Sequence, residues 1–266
     1  MRRVVFALML ALTACAGKTP SSNVPAASAS ASASAGRMAV PVPISSAVNA
    51  ADRTQADRDL DAGRHPAELL AYFQVAPGQK VAELFSGGGY TAELLARVVG
   101  PDGKVYGVNS PPMLERFAEK PWAERLQKPI LSNVVRLDRA FDDPFPAEVK
   151  DFDRVFSILV YHDFVWMGID RNAMNAAIYQ ALKPGGIYAV VDHSGKMGSG
   201  TQDVQTFHRI DQQVVKAEVE KAGFLYRGEA DFLRNPEDTR DWNSSPRAAG
   251  ERRGTSDRFV MLFVKP

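Results

Sequence analysis

Residues 81–109 of the chain, VAELFSGGGYTAELLARVVGPDGKVYGVN, decide its fold. The apolar run over residues 80–85 predicts a strand, and three consecutive glycines follow it after one serine. Apolar positions at helical spacing predict a helix over residues 90–99, the turn GPDG ends it, and residues 104–108 predict a second strand. A strand, a helix and a second strand in this order indicate one unit of a parallel sheet.

The alternation of strands and helices continues to the C-terminus. The remaining predicted strands are residues 133–137, 154–160, 187–191, 224–232 and 259–264. Helical spacing predicts further helices over residues 51–62, 65–73, 174–182 and 207–222. The last two strands have no predicted helix between them, so the last strand is expected to insert antiparallel. The predicted fold class is therefore α/β: a doubly wound, mostly parallel sheet of seven strands with an antiparallel last strand.

The composition of the 266-residue chain excludes several classes of protein. Its 32 Lys and Arg residues nearly balance its 31 Asp and Glu residues, which excludes a strongly basic nucleic-acid-binding protein. One cysteine excludes a disulfide framework and a zinc site built from several thiolates. Residues 1–50 hold four basic residues and no Asp or Glu, so residues 51–266 keep 28 basic residues against 31 acidic ones, a net charge of −3. No nucleic-acid partner is expected.

The first residues predict an export signal. Arg2 and Arg3 precede a nine-residue apolar run, VVFALMLAL, which is too short to span a bilayer as a stable helix. The stretch LTAC that ends at Cys15 resembles the lipobox of bacterial lipoproteins, in which the cysteine is lipidated and becomes the mature N-terminus. The alternative is an ordinary secretory signal with a chance cysteine. The resemblance implies a signal peptide over residues 1–14 and a membrane anchor at Cys15.

A tether is expected to join this anchor to the folded domain. Residues 15–50 are rich in Ser, Ala and Pro and hold too little apolar bulk to offset the entropy of ordering. The domain is therefore predicted over residues 51–266. Ala16 follows the cysteine where lipoproteins retained in the inner membrane often have Asp, so the resemblance favours an outer-membrane lipoprotein that faces the periplasm.

The glycine-rich turn after the first predicted strand is expected to bind a ligand. In parallel α/β sheets, ligands bind at the carboxyl ends of the strands, and glycine lets the backbone approach a ligand closely. A phosphate-binding loop would end in Gly-Lys-Ser/Thr, which this turn lacks. A dinucleotide loop would need a third glycine where the chain has Ala92. A plain flexible turn and a loop for another class of ligand remain.

The turn resembles the opening motif of class I S-adenosylmethionine-dependent methyltransferases, acid-x-Gly-x-Gly-x-Gly. The chain has ELFSGGG over residues 83–89, with Phe85 in place of the first glycine. Asp138 stands where the family has an Asp after its third strand, and LKPGG at residues 182–186 matches the family's turn before its fifth strand. The segments ELFSGGGY, YHD and HRID together resemble a little-characterised branch of predicted methyltransferases. The fold that the resemblance implies is Rossmann-like.

The resemblance also implies S-adenosylmethionine as the cofactor. The implied cofactor-binding residues are Glu83, Ser86, Gly87, Gly88, Gly89, Asn109 and Asp138. Glu83 would order the loop, and Gly87 and Gly89 would approach the methionine moiety. Asn109 stands where the family usually has a carboxylate that holds the ribose hydroxyls; an amide accepts and donates hydrogen bonds but carries no charge.

Histidine and aspartate residues follow the fourth and fifth predicted strands, so they are expected at the same edge of the sheet as the glycine turn. His162, Asp163 and His193 are the candidate catalytic residues. A histidine there could be the general base for a hydroxyl acceptor, because its ordinary pKa lies near neutral pH. The alternative is a histidine bonded to a neighbouring Asp for structural reasons. Asp192 and His208 add further ligand chemistry, but no spacing fixes a metal geometry, so no metal is assigned.

These observations predict a methyltransferase that acts on a small-molecule acceptor, at oxygen. One alternative is a membrane-anchored binding protein that keeps the fold and has lost transfer activity, because an exported enzyme would work where S-adenosylmethionine is not expected to be supplied. A nicotinamide-dependent oxidoreductase is a third possibility.

Overall fold

Seven strands form one sheet in residues 39–266, the part of the chain that the structure, a computed structural model, describes. The strands are Lys80–Leu84 (β1), Lys104–Asn109 (β2), Val134–Asp138 (β3), Phe152–Ile158 (β4), Leu182–His193 (β5), Leu225–Ala230 (β6) and Arg258–Val264 (β7). Their order across the sheet is β3-β2-β1-β4-β5-β7-β6, and β7 runs antiparallel to β5 and β6 while the other pairs are parallel. The predicted fold class is confirmed.

Helices cover both faces of this sheet. They are Val42–Val48 (α1), Gln55–Arg64 (α2), Pro66–Tyr72 (α3), Tyr90–Val99 (α4), Pro111–Met113 (α5), Glu119–Leu126 (α6), Tyr161–Trp166 (α7), Arg171–Ala181 (α8), Val204–Phe207 (α9) and Gln212–Lys221 (α10). In β1, Val81 belongs to the apolar core on one face and Ala82 to the core on the other, as strand alternation requires. Both faces of the parallel strands are buried in these two cores. The side chains that follow the carboxyl ends of the strands therefore lie at one edge of the sheet. Within the described residues, no helix is both long enough and apolar enough to cross a bilayer.

Helix α1 lies inside the stretch that the sequence predicts as a tether. Ile44 and Ala47 are buried in the core, which is what holds this short helix against the domain. The described part of the domain therefore includes residues upstream of the predicted boundary at residue 51. The predicted signal peptide, Cys15 and the first part of the predicted tether lie outside the described residues.

The predicted helix over residues 207–222 is wrong at its start. His208 has a left-handed backbone, with φ 50° and ψ 53°, which ends α9. Ile210 then forms a bridge with Ser194, and Asp211 caps the first turn of α10 with its carboxylate. This break turns the chain back toward the end of β5 and brings His208 to the edge of the sheet.

The fourth and fifth strands also differ from the prediction in their boundaries. The fourth strand begins at Phe152, and Val160 precedes α7 instead of ending a strand. Strand β5 already begins at Leu182, and its pairing with β4 is irregular between Phe152 and Arg154. The LKPGG segment is therefore the irregular start of β5.

Candidate functional site

A cleft of about 940 Å³ opens at the carboxyl ends of β1, β4 and β5, where the strand order reverses between β1 and β4. The glycine loop is residues 85–89, and residues 85–88 form one wall. The histidine cluster comprises His162, Asp163, Asp192, His193 and His208, and all of these except Asp192 line the other wall. One pocket thus joins a glycine turn to imidazoles and carboxylates, as is typical of a small-molecule site.

The glycine loop is held from below by helix α6. Gly87 and Gly88 border the cleft, and Gly87 has the positive φ of 57° that favours glycine. Gly89 does not border the cleft: a Cβ there would overlap the ring of the buried Trp122. Arg125 donates a hydrogen bond to the Gly88 carbonyl. The third glycine is therefore required by packing against Trp122.

Asn109 contacts the glycine loop, and its implied place at the cofactor stays a prediction. Its side chain is fully buried, Oδ1 accepts a hydrogen bond from the Gly87 N–H at 2.9 Å, and Nδ2 donates one to the Gly87 carbonyl at 3.3 Å. Asp138 also does not border the cleft. Arg136 lies on the same face of β3, two residues away, and donates to the Asp138 carboxylate from Nε at 2.7 Å. Asn109 and Asp138 are thus occupied by protein partners.

Phe85 takes the backbone conformation of the glycine that it replaces. Its φ is 61°, which costs a non-glycine residue roughly 1–2 kcal/mol. The ring stacks on Phe141, with centroids 5.4 Å apart and planes 18° apart, and meets Phe164 edge-on. Phe85 therefore adds an aromatic wall to the cleft at a position where the family motif has no side chain.

Glu83 lies at the base of the cleft. Burial raises the pKa of Glu83 to about 7, against hydrogen bonds from Thr91 and Ser86 that favour the charged form. Its Oε2 is buried without a hydrogen-bond partner. Above it, Arg64 at the end of α2 borders the cleft, with its guanidinium 4.4 Å from the centre of the Tyr90 ring. A carboxyl with an unused oxygen and a cation thus lie at the same end of the pocket.

The histidine cluster is a connected network. His162 Nδ1 lies 2.7 Å from Asp192 Oδ1, and the same carboxylate accepts the backbone N–H groups of His162 and His193. His162 Nε2 lies 3.2 Å from His208 Nδ1 and 3.2 Å from Asp163 Oδ1. Trp166 Nε1 donates to Asp163 at 2.6 Å. The structure thus brings together the three predicted catalytic residues and adds His208.

Two of the three histidines that border the cleft, His162 and His193, differ in charge preference. Burial disfavours the charged form of His162, but the Asp192 and Asp163 carboxylates outweigh it and raise the pKa of His162 to about 10. Burial, together with the positive charge of His162, holds the pKa of His193 well below its ordinary value. His193 is therefore a neutral imidazole, and its Nδ1 lies 2.7 Å from Ser256 Oγ.

Three residues that form or support the site could not be placed in it from a sequence motif: Arg64, Trp122 and His208. Arg64 reaches the cleft from a charged helix, and Trp122 lies far along the chain from the loop that it supports. His208 appeared to begin a helix, so its direction was not predictable. Glu83, Ser86, Gly87, Gly88, His162, Asp163 and His193 do border the cleft.

Part of the chain is similar to known proteins. Residues 83–190 match a family model described as a methyltransferase domain. Over 123 residues the chain is 30% identical to the arsenite methyltransferase of Halobacterium salinarum, a match that covers 46% of this chain and 29% of that protein. The chain thus spans less than a third of the length of that curated relative.

Solved structures share the fold. A S-adenosylmethionine-dependent methyltransferase from Aquifex aeolicus superposes with a TM-score of 0.56 at 17% identity, over 78% of this chain and 93% of that one. CrArsM, an arsenic(III) S-adenosylmethionine methyltransferase from Chlamydomonas reinhardtii, gives a TM-score of 0.50 at 18% identity, over 85% of this chain and 73% of that one. At these identities the likeness shows the fold alone.

Proposed function

We propose that the chain is a class I S-adenosylmethionine-dependent methyltransferase that transfers a methyl group to a hydroxyl oxygen of a small-molecule acceptor; the match of residues 83–190 to a methyltransferase-domain model supports this. The observation that carries the proposal is that the glycine loop and the histidine cluster line the same cleft, on opposite walls. Bound S-adenosylmethionine supplies an activated methyl group on a sulfonium; transfer breaks the S–C bond, forms the O–CH₃ bond and releases the hydroxyl proton.

The residues around the glycine loop fit the amino-acid end of this cofactor. The buried, unpartnered Oε2 of Glu83 suits an ammonium group, and the Arg64 guanidinium suits a carboxylate. Gly87 and Gly88 leave room for backbone approach, since an added Cβ at Gly87 would point into the cleft and meet only Met113 there. We assign Glu83, Ser86, Gly87, Gly88 and Arg64 to cofactor binding. Gly89 and Asn109 are positioning residues for the loop.

The acceptor binds at the histidine end. His193 is neutral, and a neutral imidazole can take the hydroxyl proton while Ser256 fixes the ring through Nδ1. The Asp192 carboxylate accepts the backbone N–H groups of both His162 and His193, so it sets the positions of the two rings together. The role of the protein is to align the acceptor oxygen with the methyl group and to receive its proton.

Cofactor binding tests the proposal. Calorimetry of the full chain with S-adenosylmethionine and with S-adenosylhomocysteine should give saturable binding. Gly88→Asp adds a bulky charge to the cleft and should abolish it. Gly78→Asp is the matched control, because Gly78 lies in open space at the opposite end of β1, and this variant should bind as the wild type does. No heat with either compound at millimolar concentration would overturn the proposal.

The acceptor of the arsenite-methylating relatives is not extended to this chain. Trivalent arsenic is a soft centre that favours thiolate ligands. The one cysteine of the sequence is Cys15, and no cysteine is among the described residues that line the cleft. Hard oxygen acceptors suit this lining better. A net charge of −3 over residues 51–266 also favours a small acceptor over a nucleic acid.

A second candidate function is ligand binding without transfer. Phe85 fills space at the glycine loop, and Asn109 is committed to Gly87, so two features of a typical cofactor site are altered. In that case S-adenosylmethionine would leave the melting temperature of the full chain unchanged, and a different ligand would bind in the cleft. The calorimetric titrations described above separate the two candidates.

We propose further that Cys15 carries lipid and anchors the chain on the periplasmic side of an outer membrane. The support is the LTAC stretch after a short apolar run. Labelling with radioactive palmitate in a Gram-negative host should mark the wild type and leave Cys15→Ser unmarked. Equal labelling of both, or none of the wild type, would contradict the anchor.

A further inference from the structure

Three side chains of the histidine cluster point their ligand atoms at one another. His162 Nε2 lies 3.2 Å from His208 Nδ1 and 3.2 Å from Asp163 Oδ1, and the third side of the triangle, from His208 to Asp163, is 3.5 Å. Ligands about 2.0–2.2 Å from a metal ion lie roughly 3.0–3.5 Å apart in tetrahedral or octahedral geometry. The triangle therefore has the dimensions of one face of a metal coordination sphere.

Second contacts hold these ligand atoms in place. His162 Nδ1 meets Asp192 Oδ1 at 2.7 Å, so Nε2 is the ring nitrogen that faces His208 and Asp163; an imidazole that binds metal ordinarily gives its other N–H to such a carboxylate. Asp163 accepts from Trp166 Nε1 through Oδ1. His208 is held by its left-handed backbone and by Ser244 Oγ, which donates to the His208 carbonyl at 2.6 Å. Strained backbone of this kind is often found at functional sites.

The charges also suit a cation. Asp163 and Asp192 supply two carboxylates to the cluster, and a bound cation would take the place of the proton that His162 shares with them. The open side of the triangle faces the cleft, because His162, Asp163 and His208 all border it. A small oxygen-donor ligand can therefore reach the remaining positions of a bound ion.

We propose that His162, His208 and Asp163 bind one divalent transition-metal ion of the zinc class, with open positions toward the acceptor end of the cleft. Two imidazoles and one carboxylate suit zinc, cobalt, nickel or iron(II) better than magnesium or calcium, which favour all-oxygen sites. The role of the ion rests on the proposed function: it holds the acceptor hydroxyl and makes its proton more acidic, so that His193 can take it. Metal binding itself does not depend on that function.

Metal titration of the full chain tests the site. The chain is treated with a chelator, freed of it, and titrated with Zn²⁺ by calorimetry and with Co²⁺ by visible absorption. The wild type should bind one equivalent, and cobalt should show the intense bands of a low-coordinate nitrogen and oxygen site. His208→Asn should weaken binding at least about tenfold. Asparagine tolerates the left-handed backbone at residue 208, so the variant is expected to fold.

The chain offers a matched control. His65 has φ 47° and ψ 54°, almost the backbone of His208, and lies away from the cluster at the end of α2. His65→Asn should keep wild-type affinity. Asp163→Asn is a second test, because its amide oxygen can still accept from Trp166 while the charge of the ligand is lost; it should also weaken binding at least about tenfold.

The outcomes separate the metal site from the methyltransferase proposal. If S-adenosylmethionine binds but neither Zn²⁺ nor Co²⁺ does, the metal site is overturned and the proposed function stands. If the metal binds and S-adenosylmethionine does not, the metal site stands and the proposed function fails. Equal metal affinity of the wild type, His208→Asn and Asp163→Asn would overturn the assignment of ligands.

Discussion

Asn109 holds both backbone polar groups of Gly87 with one side-chain amide. Oδ1 accepts from the Gly87 N–H, and Nδ2 donates to the Gly87 carbonyl. Only a group with an acceptor and a donor side by side can make both bonds, and a carboxylate cannot. The asparagine that departs from the family pattern is therefore matched to the conformation of this loop.

We expect Asn109→Asp to destabilise the loop although it restores the usual family residue. The carboxylate would still accept from Gly87 N–H, but it would face the Gly87 carbonyl without a donor and carry a charge in a fully buried position. The cost should be about 1–3 kcal/mol in the free energy of unfolding. Denaturant unfolding measures it, and calorimetry should show weaker S-adenosylmethionine binding.

The control for this prediction is Asn49→Asp. Asn49 is exposed at the end of α1, so the same change of an amide to a carboxylate should leave stability and cofactor affinity nearly unchanged. Wild-type stability and affinity in Asn109→Asp would show that the loop does not need the donor.

Gly89 and Gly78 test the packing beneath the loop. Both have similar left-handed backbones, with φ of 83° and 78°, so alanine should carry about the same backbone strain at each, roughly 1 kcal/mol. An added Cβ at Gly78 meets open space, whereas at Gly89 it overlaps Trp122. Gly89→Ala should therefore be less stable than Gly78→Ala by about 1–3 kcal/mol in thermal or denaturant unfolding. Equal stability of the two variants would contradict the packing role.

The sequence predicts the topology well because each element has its own local signal. The run over residues 90–99 is a helix within the bounds that its spacing predicts, and the missing helix between the last two strands predicts the antiparallel β7. Strand ends are set by burial on two faces, so His162 and His193 come to the same edge as the glycine loop, as predicted. These are consequences of chain direction and hydrophobic period.

The directions of side chains depend on partners that are distant in sequence. Asn109 and Asp138 both end their predicted strands, yet one meets Gly87 and the other Arg136. The role of Gly89 is decided by Trp122, which has no sequence motif that links it to the loop. Resemblance assigns such positions to a cofactor by location alone, and only the tertiary contacts distinguish a wall of the cleft from its support.

The raised pKa of Glu83 makes the stability of the folded protein depend on pH. Its folded-state pKa of about 7 lies above the ordinary 4.5, so the folded protein binds this proton more tightly than the unfolded chain does. Stability from this group is present below pH 4.5 and is lost as pH rises through 7. Glu83→Gln removes the dependence, so its melting temperature relative to the wild type should increase from pH 4.5 to pH 8, by an amount equivalent to at most about 3 kcal/mol.

Glu115→Gln is the control for this pH dependence, because Glu115 is exposed. Its melting temperature relative to the wild type should stay constant over the same pH range. A constant difference for Glu83→Gln as well would show that Glu83 is not buried as a neutral group.

Arg209 is predicted to fix the segment that presents His208. Its guanidinium is fully buried, pairs with Asp238 at 2.8 Å and donates to the Ser194 carbonyl at 3.1 Å. Arg209→Ala removes the guanidinium that pairs with the buried Asp238 carboxylate. The variant should therefore lower the free energy of unfolding by about 3–5 kcal/mol. Arg227→Ala is the surface control and should change it by less than about 0.5 kcal/mol. Denaturant unfolding of the two variants decides the matter: a loss below 1 kcal/mol for Arg209→Ala would mean that the segment holds its position without this ion pair.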